Sequence, residues 1–170
     1  MGKNIILIGF MGTGKSTIGY KLASRLNKQF VDMDREIEKV TGMTVADLFR
    51  QYGEIRFRSE ERLMAKKLSV QNDIVIATGG GVVLDPENIN AFKENGIIVW
   101  LDASPEIIFE RVNRKKGTRP LLRKKTSIED IEKFSNEREP HYSCADYRFD
   151  TGKNLDEVVE EIIKVIKDKI

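Results

Sequence analysis

An α/β fold, with a central five-stranded parallel sheet flanked by helices, is predicted by three features of the chain. Five short apolar, β-branched runs recur at 5–8, 30–33, 74–77, 97–101 and 147–149. Amphipathic helical patterns separate them, and this alternation is the signature of parallel strands joined by crossover helices. Helix punctuation falls where the gaps require it. Gly42 can end one helix in a left-handed cap just before Thr44 and Asp47, which are spaced as a capping box. Asp85-Pro86 and Ser104-Pro105 each put a capping side chain ahead of a proline at the first helical position. Ser127 and Asp130 repeat the capping-box spacing. The last helix carries Leu155, Val158, Val159, Ile162, Ile163, Val165 and Ile166 at helical intervals, a stripe to bury on the sheet.

With 170 residues, 40% hydrophobic and 33% charged, the chain suits one compact domain over 1–170. Its 29 Lys and Arg almost cancel its 27 Asp and Glu, and a net charge of +2 gives no reason to expect a nucleic-acid partner. A single cysteine, Cys144, rules out an intramolecular disulfide. With a single histidine, His141, it also rules out a zinc site built from several Cys and His ligands. A reducing, cytoplasmic setting is expected. The apolar stretch at 5–11 is too short to span a bilayer and runs straight into a glycine-rich turn, so no membrane association is expected. Met1-Gly2 lacks the Ser or Thr of a myristoylation signal, because Ile6 stands in its place.

That glycine-rich turn carries the chemistry. Gly9-Phe10-Met11-Gly12-Thr13-Gly14-Lys15-Ser16 satisfies the G-x-x-x-x-G-K-[ST] pattern between an apolar strand and a helix, the context that makes the motif credible. Its glycines let backbone N–H groups turn inward onto an anion, and the helix that follows aims its positive dipole end at the same point. Gly12, Thr13, Gly14, Lys15, Ser16 and Thr17 are therefore the expected contacts to the phosphates of a nucleoside triphosphate, with Lys15 on the β and γ groups and Ser16 on magnesium. A GTPase would add a late Asn-Lys-x-Asp, whereas Asn27-Lys28 comes early and lacks the aspartate. A motor ATPase would end a later strand in carboxylates, whereas 74–77 runs into Thr78-Gly79-Gly80-Gly81. Asp102 lies just before a helix start and reads as a turn residue.

Carboxylates stand instead at Asp32 and Asp34. If the second strand ends there, its period of two points both into the crevice beyond the strand ends, one for magnesium and one to accept a proton from a hydroxyl. The other reading of Asp34 is that it simply opens the next helix.

In their order, Gly9 to Ser16, Asp32-Met33-Asp34, Phe57-Arg58, Gly79-Gly80-Gly81, Arg119-Pro120-Leu121-Leu122 and Glu137-Arg138 with Pro140 and Tyr142 closely resemble the shikimate kinase family. The resemblance implies the nucleoside monophosphate kinase-like three-layer P-loop fold, ATP and Mg2+ as cofactors, and phosphorylation of the 3-hydroxyl of shikimate in the route to aromatic amino acids. It implies Asp34 as base, Lys15 and Arg119 as catalytic cations, and Asp32 beside Ser16 on the metal. Arg58 and Arg138 correspond to the arginines that take the substrate carboxylate, a task suited to planar guanidinium groups. On sequence alone each reads first as a solvated helix charge, and only the motif favours the substrate role.

Gly79, Gly80 and Gly81 correspond to the family's substrate turn, and Phe49, Phe57 and Glu61 to positions that wall or brace the pocket within a substrate region of about 32–61. The two phenylalanines are equally suited to the core. The basic stretch within 112–125 corresponds to a lid carrying Arg119, and Arg111 to a residue that stacks on adenine. A monomer is implied. His141 and Cys144 carry no role.

Overall fold

The computed structural model describes residues 2–114 and 126–170. Five parallel strands lie in the order β2-β3-β1-β4-β5, with β1 (Asn4–Ile8) at the centre, β3 (Ile74–Ala77) and β2 (Gln29–Asp32) on one side, and β4 (Gly96–Asp102) and β5 (Tyr147–Asp150) on the other. Every strand forecast by the apolar runs is present within a residue or two, and the sheet forms three layers with its helices.

Side-chain alternation decides which helix covers which face. Ile6 and Ile8 of β1, with Ile74, Ile76, Ile98 and Trp100, pack against α2 (Met33–Thr41), α3 (Val45–Ser69) and α4 (Pro86–Glu94). Ile5 and Leu7, with Val75, Ile97, Val99 and Leu101, pack against α1 (Lys15–Leu26) and α7 (Leu155–Ile166). A smaller cluster joins Phe10 and Met11 of the glycine-rich turn to Ala103, to Ile108 of α5 (Pro105–Asn113) and to Ile131 of α6 (Ile128–Tyr142). The apolar residues inside the phosphate motif thus anchor its underside. Burial on both faces is what allows strands as uniformly apolar as β1 and β3.

The caps form largely as read. Asp85, Ser104 and Ser127 each accept from the first turn of their helix, Ser127 in a complete capping box with Asp130. Gly42 ends α2 at φ 70°. Thr44 accepts from the Asp47 N–H at 3.0 Å, but the Asp47 carboxylate pairs with Arg50 instead of closing the box. In α7, Val165 is 40% exposed although it belongs to the predicted stripe, because it sits at the stripe's edge, about 100° round the helix from the buried Ile166.

Gly53, at φ 80° and ψ 178°, breaks α3 into two helical pieces. A straight helix would hold Phe49 and Phe57 about 12 Å apart along its axis; the break folds them into ring contact, centroids 4.7 Å apart. Among the described residues no helix is long and apolar enough to cross a membrane.

Candidate active site

Register brings the chemistry to one place. Leu7 of β1 pairs with Ala77 of β3, and Ala77 pairs with Asp32 of β2, so three adjacent strands end at the same level. The phosphate motif, the triple glycine and the two aspartates leave the sheet side by side. They line one cavity of about 800 Å³ together with Arg58, Glu61, Arg111 and Arg138, a size that takes small ligands.

At the end of the cavity formed by the phosphate motif, Gly14 caps α1 in the left-handed conformation, φ 98°, with no side-chain hydrogen bond and no acidic residue in the first turn. The first N–H groups of α1 are thereby left to a ligand, with the helix dipole favouring an anion. Gly9 lets the loop leave the sheet closely, since a Cβ there would fall 2.3 Å from the Leu101 carbonyl oxygen. The buried Lys15 ammonium donates to the carbonyls of Gly9 at 2.7 Å and Phe10 at 2.9 Å. Ser16 Oγ donates to Asp32 Oδ2 at 3.0 Å, which joins the two predicted metal ligands.

Gly12, Gly14 and Thr17 line the cavity, but the Thr13 side chain does not. It is fully buried and donates to the Phe10 carbonyl at 2.8 Å, bracing the loop from beneath. Arg119, Pro120, Leu121 and Leu122 lie outside the described residues.

The strand reading of Asp32-Met33-Asp34 is corrected. β2 stops at Asp32, whose side chain accepts the Arg35 N–H at 3.3 Å and caps α2, while Met33 is drawn into the core. Asp34 stands in the first turn of that helix, where the dipole favours its charge. Both aspartates still line the cavity. The helix N-terminus, and not strand periodicity, aims Asp34.

At the other end of the cavity each glycine of the triple turn faces a charged group. A Cβ on Gly79 would lie 3.0 Å from Asp34 Oδ1 and 3.3 Å from Glu61 Oε2, one on Gly80 3.3 Å from Arg138 Nη1, and one on Gly81 2.4 Å from Arg58 Nη2. The turn is glycine because the pocket's charges pack directly on its α-carbons. Arg58 bonds Glu61 at 3.0 Å and Glu54 at 3.2 Å, with its guanidinium 5.3 Å from the centre of the Phe57 ring. The Glu61 side chain is 1% exposed. Burial raises its carboxyl to about 7 against the opposing pull of Arg58.

Arg138 lies over the Phe10 ring at 5.6 Å, and its buried Nη1 has no hydrogen-bond partner among the described residues. An unpaired guanidinium N–H aimed into a cavity is a site for an anion. Phe57 both lines the cavity and belongs to the core, and Phe49 packs on it from the rim, so the two readings of these rings hold together.

Residues 11–167 match the family model described as Shikimate kinase. The chain belongs to the shikimate kinase family. A shikimate kinase of Pelotomaculum thermopropionicum is 52% identical over 167 residues, covering 98% of this chain and 96% of that one. One of Desulforudis audaxviator is 46% identical, covering 98% of this chain and 88% of its own length. The solved structure of shikimate kinase from Acinetobacter baumannii in complex with shikimate superposes with a TM-score of 0.92 at 33% identity, covering 100% of this chain and 96% of that chain.

Within this shikimate kinase fold, two residues serve the site that motif reading passed over. Thr151, wholly buried, bonds the carbonyl of Thr13 at 2.6 Å. Arg111 in turn bonds Thr151 through both its hydroxyl and its carbonyl and reaches the Gly12 carbonyl at 3.3 Å. Its guanidinium is thus tied to the phosphate loop, and burial lowers its proton affinity. A lone threonine after a strand carries no sequence signal. Tyr142 donates to the Gly80 carbonyl at 3.1 Å; here the signal existed, as the last position of Glu137-Arg138-Glu139-Pro140-His141-Tyr142, but no role was attached to it. The turn reading of Asp102 is corrected: it is the last paired residue of β4, opposite Asp150, and its carboxylate accepts from the Ala103 N–H and pairs with Arg148 without lining the cavity. His141 is exposed and Cys144 half-buried against the core.

Proposed function

We propose that this chain transfers the γ-phosphoryl group of ATP to the 3-hydroxyl of shikimate, giving ADP and shikimate 3-phosphate for aromatic amino acid synthesis, within a single domain over 1–170. The observation that carries this reading is the continuity of the cavity. A phosphate-binding helix terminus opens into the same space as a carboxylate, two arginines and a glycine turn.

The geometry is compatible with the following division of labour. The open N–H groups of α1, with Gly12, Thr13, Gly14 and Thr17 around them, receive the phosphates. Lys15 exchanges its two carbonyl bonds for charge-assisted bonds to phosphate oxygens, which are the stronger kind. Ser16 and Asp32 would hold magnesium. Their pair of hard oxygens, 3.0 Å apart, fits that ion, which is usually held by one or two protein oxygens and shares the rest of its shell with phosphate and water. When bound, it offsets negative charge on the phosphates.

Asp34 accepts the proton of the attacking hydroxyl, and Arg58 and Arg138 take the carboxylate, with Glu61 bracing Arg58. Gly79, Gly80 and Gly81 floor the pocket, Phe49 and Phe57 wall it within the region of about 32–61, and Arg111 borders the adenine. Arg119, in the lid of about 112–125, closes on the phosphates as a cation supplied by the same chain. A monomer acting on small molecules is part of this proposal, and the near-balance of 29 Lys and Arg against 27 Asp and Glu gives no reason to expect a nucleic-acid partner. The balanced charge and absence of a disulfide pair suit the cytoplasm.

The deciding experiment supplies MgATP with shikimate, gluconate or a nucleoside monophosphate in parallel and follows ADP. ADP release that depends on shikimate alone is expected. Turnover with gluconate or the monophosphate and none with shikimate overturns the proposal.

A further inference from the structure

Three carbonyls of the glycine turn need partners, and the turn itself supplies two. Val82 N–H donates to the Gly79 carbonyl at 3.2 Å and Leu84 N–H to that of Gly81 at 3.1 Å. The middle carbonyl, that of Gly80, takes its hydrogen bond from outside, from the hydroxyl of Tyr142 at 3.1 Å. Tyr142 is held in turn. Its ring is buried, stacked at a tilt on Trp100 with centroids 5.4 Å apart, and Arg148 covers the other ring system at 4.1 Å.

On α6, Tyr142 stands one turn beyond Arg138, so the two side chains share a helix face. The guanidinium lies close enough to the hydroxyl to oppose the rise that burial imposes on it, to about 12. The hydroxyl therefore keeps its proton at physiological pH and remains a donor.

Resting on the shikimate reading above, we propose that Tyr142 is a positioning residue for recognition of the substrate's carboxylate. Gly80 is where three parts of the site meet, since a Cβ there would lie 3.3 Å from Arg138 Nη1, 3.5 Å from the Met11 N and 3.7 Å from the Gly9 carbonyl oxygen. Nη1 of Arg138 is buried and has no partner among the described residues. With the Tyr142 hydroxyl engaged, the Gly80 carbonyl is satisfied. Without it, that carbonyl becomes a buried acceptor in need of a donor, and the Arg138 guanidinium packed on the same glycine has an N–H to offer that is unpaired among the described residues. A guanidinium captured by the protein's own backbone must be released before it takes a carboxylate, which weakens acid binding while leaving the phosphate loop and Asp34 untouched.

Tyr142→Phe in the full chain isolates the hydroxyl, because the ring still packs on Trp100. The KM for shikimate is expected to rise by about 3- to 10-fold, the scale of one hydrogen bond, while kcat and the KM for ATP stay within about twofold and the thermal midpoint within about 3 °C, as for a change confined to one neutral contact. Wild type is expected to prefer shikimate to the analogue whose carboxylate is replaced by hydroxymethyl, and Tyr142→Phe is expected to shrink that preference by the same factor. In an Arg138→Lys background the Phe substitution should add nothing, since the guanidinium it protects is gone.

An unchanged shikimate KM overturns the proposal. So does a parallel loss of kcat, both KM values and thermal stability, which marks a purely structural tyrosine. A wild-type enzyme inert toward shikimate overturns the functional reading itself, an outcome visible before any variant is made.

Discussion

Gly81→Ala tests the substrate half of the pocket with a single methyl group. Gly81 has φ −104° and ψ 8°, a conformation open to alanine, so the backbone does not object. The new Cβ does, falling 2.4 Å from Arg58 Nη2, 2.5 Å from Nη1 and 2.7 Å from Cζ. To restore ordinary contact at about 3.5 Å, the guanidinium must retreat by roughly 1 Å. Arg58 is the far end of a flexible side chain, so the fold absorbs the shift and the loss falls on recognition. Charge-assisted hydrogen bonds contribute about 1.5–3 kcal/mol, and forfeiting that amount raises the KM for shikimate by about 10- to 150-fold. The loop that receives ATP lies across the cavity, and its KM should stay within about twofold, as expected for a site with no shared partner.

The assay is steady-state ADP release with each substrate varied at saturating levels of the other, on wild type, Gly81→Ala, Arg58→Ala and the double variant. Once Arg58 is an alanine, the methyl should cost less than about twofold more. A normal shikimate KM in Gly81→Ala, or full additivity in the double variant, refutes the claim that Gly81 exists to make room for Arg58.

Asp34→Asn should lower kcat by at least about 100-fold with ATP affinity retained, the loss expected of a general base; a near-normal rate removes Asp34 from that role. Glu61 should make folding depend on pH. Its carboxyl is raised from an ordinary 4.5 to about 7, chiefly by burial, so the folded state binds the proton more tightly than the unfolded chain does. The contribution is fully present below pH 4.5 and lost as pH rises through about 7. A decline of up to about 1.4 kcal/mol per pH unit is expected across that window, read from urea midpoints. Glu61→Gln should flatten it, and an identical slope in the variant rules Glu61 out as its source. Gly53→Ala imposes a side chain on φ 80°, ψ 178°, a region open almost only to glycine, at about 1–3 kcal/mol. Urea unfolding should show that loss, and a variant as stable as wild type means the break in α3 is not conformationally enforced.

Strands, caps and the phosphate motif were legible in the sequence because each rests on local physics. Apolar runs of strand length, Asp85-Pro86 and Ser104-Pro105, and the glycine spacing from Gly9 to Ser16 specify backbone conformation within a few residues of themselves. Even so, local reading misjudged Asp34. Period-two strand geometry and helix capping both accommodate Asp32-Met33-Asp34, and burial of Met33 tipped the balance toward the helix.

Contacts between distant segments were decided by the tertiary structure alone. Sheet register aligns Leu7, Ala77 and Asp32 and so puts three strand ends at one level. Packing sets each glycine of 79–81 against its own charge, from Asp34, Glu61, Arg138 and Arg58. The bonds of Thr151 to Thr13 and of Tyr142 to Gly80 span 138 and 62 positions of chain. No local pattern encodes such a partner, because a threonine or tyrosine spends its hydroxyl on whichever buried carbonyl the fold leaves unpaired beside it.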